Sequence, residues 1–205
     1  MAIITNYATL QTAIGDYLGR SDLSGFYPNF TQNAETLIYK NLRIRAMETA
    51  LSVTISSGVA AIPTSPALLE LKYAYVDVSP VQVLDRVPPD MIRARWPVRS
   101  GGSIPRDIAI EGANFIFGPN PGNYTIKGIY YAQFSALSGS NTTNWFTTNA
   151  PDLLLYGSLL QAEPFIKNDP RLPVWEALFR ASYDAVANEE KRQRSSGGSI
   201  ATRLA

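Results

Sequence analysis

The side chains available for chemistry are restricted. The chain of 205 residues has no histidine and no cysteine. That excludes a disulfide framework, a cysteine–histidine zinc site, a thiol nucleophile and a Ser–His–Asp triad. It also removes the commonest acid–base group near neutral pH. A glycosidase needs only two carboxylates, so the acidic residues come first. Asp77, Asp85 and Asp90 are close in sequence, and Asp107 and Glu111 would share one face of a strand. All five lie in a proline-punctuated stretch where carboxylates are ordinarily solvated, so no catalytic pair is expected. There is no calcium loop of the D-x-[DN]-x-[DN]-G type, no G-x-x-x-x-G-K-[ST] phosphate loop, no G-x-G-x-x-G after a strand and no G-x-S-x-G elbow. Ser100-Gly101-Gly102-Ser103 and Ser196-Gly197-Gly198-Ser199 lack the flanking strand, helix and lysine, and read as loops. The expectation is a protein that is not an enzyme and uses no cofactor or metal.

The remaining candidates are residues for contact. Arg93, Arg95 and Arg99, with Arg106 nearby, form one basic cluster, and Arg93 and Arg95 flank Trp96 closely enough for stacking. Lys191, Arg192 and Arg194 form another at the end of a helical pattern. Such a cluster complements the helix dipole, and it also suits an acidic protein surface or a DNA backbone. Tyr130 and Tyr131 are adjacent on one β run and should point to opposite faces, so one of them meets a partner or a helix. Trp145 and Phe146 precede a helical pattern. Net charge is +1 and only 17% of residues are charged, against about 25% in typical soluble proteins. Residues 1–50 carry 4 basic and 4 acidic groups, 51–149 carry 7 and 6, and 150–205 carry 7 and 7. No segment is one-signed enough for a dedicated nucleic-acid binder. Low charge with many Tyr, Asn, Ser and Thr residues points to surface that meets other proteins. No apolar run approaches the ~20 residues of a membrane span, and Met1-Ala2-Ile3-Ile4 carries no basic n-region, so no secretory signal is expected.

These residues must be held by a scaffold. Tyr7, Leu10, Ile14 and Leu18 keep helical spacing, with Thr5 or Asn6 as cap and Gly19 as stop. Phe30, Ala34, Leu37, Ile38 and Leu42 trace a second helix from Pro28 to about Met47. From Leu51 the pattern becomes strand-like. Leu51–Ile55 and Val59–Ile62 suggest a hairpin about Ser56-Ser57-Gly58, and Lys72–Val78, Arg106–Ile110, Asn114–Phe117 and Tyr124–Phe134 suggest further strands. Glu111-Gly112-Ala113-Asn114 reads as a tight turn and Asp90–Arg95 as a helical turn. Helical pattern returns at Pro151 and again from Val174. The expected fold is α+β: a four-helix bundle from residues 1–49 and 149–194, a small antiparallel β insertion over 50–148 between helices 2 and 3, and an extended C-terminal tail over 195–205.

The ordered succession over residues 118–197 carries a resemblance. It runs from Gly118-Pro119-Asn120-Pro121 and Tyr124–Tyr131 to Ala136-Leu137-Ser138. It continues through Thr143-Asn144-Trp145-Phe146, Ala150-Pro151-Asp152-Leu153-Leu154-Leu155-Tyr156-Gly157, Ala162-Glu163-Pro164-Phe165 and Asp169-Pro170-Arg171. Trp175, Tyr183 and Arg192-Gln193-Arg194-Ser195-Ser196-Gly197 complete it. Together with Tyr17-Leu18-Gly19-Arg20-Ser21-Asp22-Leu23, this succession resembles the head-to-tail adaptor, or head-completion, proteins of tailed phages. The resemblance implies a structural virion protein of the neck, assembled in the host cytoplasm. It implies a ring of twelve copies under the portal protein, contact with tail or nozzle proteins, passing proximity to genomic DNA, and no membrane. Portal docking then falls to Lys191, Arg192, Arg194, Ile200, Arg203 and Leu204. Contact with neighbouring subunits or partners falls to Arg93, Arg95, Trp96, Tyr131 and Trp145. The alternatives are another neck component, a stopper or tail terminator, and a carbohydrate-binding module built on the aromatic-rich β insertion.

Overall fold

The structure is a computed structural model that describes residues 3–98, 102–167 and 169–195. Its chain divides into two units, Met1–Ala46 with Phe134–Ala205, and Met47–Gln133.

The first unit is helical. Helix α1 (Tyr7–Leu18) starts where Asn6 Oδ1 accepts from the Thr9 amide at 2.9 Å and Thr9 Oγ1 accepts from the Asn6 amide at 3.0 Å. This reciprocal cap satisfies two amides that the first turn leaves open. The helix buries Leu10, Ala13, Ile14 and Leu18. A 3₁₀ turn (Ser21–Phe26) leads into α2 (Tyr27–Asn41), with Pro28 in its first turn. After the second unit come α4 (Trp145–Asn149), α5 (Pro151–Gln161), α6 (Glu163–Ile166) and α7 (Leu172–Ser195). Helix α5 is the centre of this unit. It packs against α1, α2 and α7, and accordingly Leu153, Leu154, Leu155 and Leu159 are all buried. At 24 residues α7 is about 36 Å long.

The second unit is a β-sandwich with one helix on its outside. Its elements are β1 (Glu48–Thr54), β2 (Val59–Ala61), β3 (Leu68–Val76), β4 (Gln82–Val83), β5 (Asp85–Arg86), α3 (Pro89–Arg95), β6 (Asp107–Glu111), β7 (Asn114–Gly118) and β8 (Thr125–Ala132). One sheet has the order β1-β8-β3-β4, the other β2-β7-β6-β5. All pairings are antiparallel except β5 with β6. Leu51, Leu71, Val76, Ile126 and Tyr130 of the first sheet meet Ala60, Ile108, Phe115 and Phe117 of the second in one core. The alternate residues Ala109 and Ile116 face the other way and pack with Ile92 of α3. The period of two thus explains why β6 and β7 are apolar on both faces.

The four-helix bundle with one small β insertion is therefore corrected. Among the described residues there are seven α-helices and two four-stranded sheets. Proline explains much of the helix count. Ala150, before Pro151, is forced out of the helical region to φ −146° and ψ 56°, which separates α4 from α5. Pro164 sits in the first turn of α6, and Pro88-Pro89 open α3. The periodicity of single strands does not show the extent of the β region, because stacking is a property of the pair of sheets. The turn expected at Ser56–Gly58 forms, with the Ser56 amide donating to the Val59 carbonyl at 2.8 Å. Yet β2 leaves β1 and pairs with β7, because Ala60 faces the shared core only from the second sheet. The C-terminal tail expected from residue 195 lies, after Ser195, outside the described residues.

Candidate functional site

The cluster of Arg93, Arg95 and Trp96 sits on and just after α3, over the outer face of the β6–β7 sheet. Arg93 does not stack on Trp96. Its Nη2 reaches both oxygens of Glu111, at 2.6 and 2.7 Å, on the surface. Arg95 Nη1 lies 3.5 Å from Asp107 Oδ1. Trp96 is half-buried and its Nε1 donates to Asp107 Oδ2 at 2.7 Å. Asp107 is buried at 3% exposure, so this indole N–H satisfies a carboxylate that water scarcely reaches. The ring also explains Gly118: a Cβ there would stand 2.2 Å from Trp96 Cδ1. Val59, Ile92, Arg93, Trp96, Pro97, Glu111 and Ile116 line a shallow cleft of about 400 Å³ here.

The geometry speaks against acid–base chemistry at this cleft. Asp107 and Glu111 stand at opposite ends of β6. Four residues of strand separate them by about 13 Å, beyond the ~5–9.5 Å that paired glycosidase carboxylates keep. Each is also occupied by an arginine. Among the described residues no group of acidic side chains is arranged to hold a metal ion, and no helix is long and apolar enough to cross a membrane.

Tyr130 and Tyr131 are both buried, at 2% and 7% exposure. Tyr130 Oη donates to the Pro66 carbonyl at 3.1 Å, and Lys72 Nζ lies 6.0 Å from the centre of the Tyr131 ring. Trp145, at the start of α4, is half-exposed. It stacks on Phe134 with centroids 6.0 Å apart and meets Phe146 edge-on at 5.5 Å. Its outer side lines a polar cleft of about 440 Å³ with Ile44, Ala46, Glu189, Glu190 and Gln193. Glu190 is buried there and its Oε2 accepts from the Arg45 amide at 2.7 Å. One turn of α7 therefore carries a buried acid beside exposed Lys191 and Arg192. Arg194 lies in the last turn of α7, while Ile200, Arg203 and Leu204 lie outside the described residues. The structure brings Arg93, Arg95 and Trp96 together, and places Trp145 beside the last turns of α7.

Two arrangements join residues far apart in sequence. Arg171 caps the meeting of α1 and α7: Nη1 donates to the Tyr17 carbonyl at 2.7 Å, Nη2 pairs with Asp169 at 2.6 Å, and the guanidinium lies 4.9 Å from the Trp175 ring centre. Glu35, on α2, is 2% exposed and accepts from Asn144 Nδ2 at 2.8 Å. A charged residue on the buried face of α2 was the one available signal. Burial pushes the Glu35 carboxyl up to about 7, against the opposing pull of hydrogen bonds from the Leu137 amide and Asn144.

A family model described as SU10 adaptor protein matches residues 5–203, nearly the whole chain. No curated protein matches the sequence significantly.

Proposed function

Because the chain belongs to the SU10 adaptor protein family, a family of phage head-to-tail adaptors, we propose that it forms a ring under the portal, links capsid to tail and lines the DNA exit channel. The observation that carries this reading is the extent of the family match, residues 5–203, which takes in both units and most of the tail. The adaptor is a structural assembly protein that works with portal and tail components at the neck of the virion. In the proposed ring of twelve copies the helical units pack side by side. The C-terminal end of α7 and residues 196–205 bind the portal, with Lys191, Arg192, Arg194 and Arg203 supplying charge and Ile200 and Leu204 supplying apolar contact. Near-zero net charge suits a conduit, since DNA that must leave should not be held by counterion release.

The test is binding to portal-bearing particles, read by mass, with the full chain and with a chain ending at Gln193 or Arg194. We expect the full chain to bind as a ring and the shortened chain to keep its fold and fail to bind. Absence of any binding by the full chain overturns the portal reading. Normal binding by the shortened chain overturns the docking role of the tail.

A further inference from the structure

Glu35 has no cationic partner among the described residues. A buried carboxylate is costly in its charged form unless hydrogen bonds or a counter-charge compensate it. Its compensation is two N–H groups, the Leu137 amide and Asn144 Nδ2. Both belong to the crossover over residues 134–144, the segment that leads the chain from β8 to α4. Asn144 acts at both ends of its side chain. While Nδ2 donates to Glu35, Oδ1 accepts from the amides of Phe146 at 3.1 Å and Thr147 at 3.3 Å and so caps α4. The crossover has two more ties. Tyr39 Oη donates to the Phe134 carbonyl at 3.3 Å, and the Tyr7 amide donates to the Thr142 carbonyl at 2.7 Å.

We propose that Glu35 is a proton-responsive latch: the neutral carboxyl keeps the 134–144 crossover seated on α2, and ionisation favours an open form in which the carboxylate reaches water. The crossover holds Phe134, on which Trp145 stacks. Opening therefore alters the half-exposed Trp145 face beside the end of α7, so the proton state of a buried group is read out at a contact surface.

The surroundings leave Glu35 as the group that titrates. The crossover and α4 contain no ionisable side chain. Tyr7 on α1 and Tyr39 on α2 face it, and both phenols are raised above their ordinary value, first by burial and second by the charge of Glu35. They stay neutral over the range concerned. On α5, Tyr156 responds to burial, Tyr17 and Asp152.

The sign follows from linkage. The closed carboxyl binds its proton up to about pH 7, and a hydrated one up to about 4.5. Between these values the closed form holds the extra proton, so each pH unit favours opening by about tenfold, roughly 300-fold in all. Above pH 7 the effect is flat.

Amide hydrogen exchange tests this in the full chain, with intrinsic rates divided out. Leu137 and its crossover neighbours should be less protected than α5. Their protection should fall by about 300-fold from pH 4.5 to 7 and then level off. Glu35→Gln should abolish the slope. Asn144→Asp keeps an acceptor to cap α4 and sets a second carboxyl against Glu35, so it should move the levelling-off to higher pH. Protection equal to that of α5 at every pH means that the segment opens only by global unfolding, and overturns the latch. A flat profile in the unaltered chain, or a levelling-off that Asn144→Asp leaves in place, overturns it equally.

Discussion

Replacing Trp96 by Phe separates two roles for the α3 cluster, a structural one and a docking one. The phenyl ring keeps much of the packing against Ile92 and Ile116 and removes the Nε1–H that reaches Asp107 at 2.7 Å. Asp107 is 3% exposed and its other contact, Arg95, is long at 3.5 Å. The variant thus leaves a buried carboxylate short of its best donor. Hydrogen bonds to charged groups contribute about 1.5–3 kcal/mol, and an unmet buried acceptor costs its desolvation as well. We expect destabilisation of about 2 kcal/mol, which at a urea slope of ~2 kcal/mol per molar is a midpoint shift of about 1 M. Fluorescence is a poor assay, because Trp145 and Trp175 both belong to the other unit. Far-UV circular dichroism and the exchange of β6 amides report on the altered unit itself. Pairing the change with Asp107→Asn in a double-mutant cycle should give a coupling of at least about 1 kcal/mol. Portal binding, measured well below the transition, should be unchanged. A midpoint within about 0.2 M of the parent with no coupling would refute the argument, and weakened binding at full stability would reassign Trp96 to docking.

Two further outcomes are expected. Reversing Arg192 and Arg194 to Glu should weaken portal binding, and the weakening should shrink as salt is raised from low to physiological strength. A loss independent of salt would count against an electrostatic contact. Gly128→Ala should destabilise the β unit by about 3 kcal/mol, because a Cβ on β8 would stand 2.2 Å from the Tyr73 carbonyl oxygen of β3, in backbone that cannot swing aside. Gly25→Ala, which meets nothing within 4 Å, should shift stability by less than about 0.5 kcal/mol.

Local structure was legible where one short-range rule decided it. Asn6 and Gly19 bracket α1 as capping chemistry requires, and the Gly112 turn joins β6 to β7. Higher organisation was not legible, since it depends on partners distant in sequence. Trp145 and Phe146 read as residues before a helix that starts at Pro151, yet they open a helix of their own, which Ala150 ends. β2 reads as the mate of β1, yet its mate is β7, more than fifty residues later. The same limit applies to sites. Arg93, Arg95 and Trp96 stand together in sequence and read as one cluster, while their acceptors Glu111 and Asp107 read only as solvated carboxylates. Glu35 and Asn144 are 109 positions apart, and neither alone announces the contact.

The pairing of Arg93 with Glu111 and of Arg95 with Asp107 changes the weight of the two basic clusters. Charge available for docking is charge not already met within the chain. Arg93 is held in a two-oxygen pair with Glu111, and Arg95 leans toward Asp107, so an acidic partner would have to compete with acids already in place. The α7 end differs. Lys191 and Arg192 are exposed at a helix C-terminus, where the dipole adds negative potential and favours bound cations. A partner acid arriving there must supply more than charge to displace that preference, and the apolar Ile200 and Leu204 that follow are suited to supply it. The electrostatic part of docking should therefore steer and the apolar part should hold. Salt should slow binding to the portal more than it speeds release.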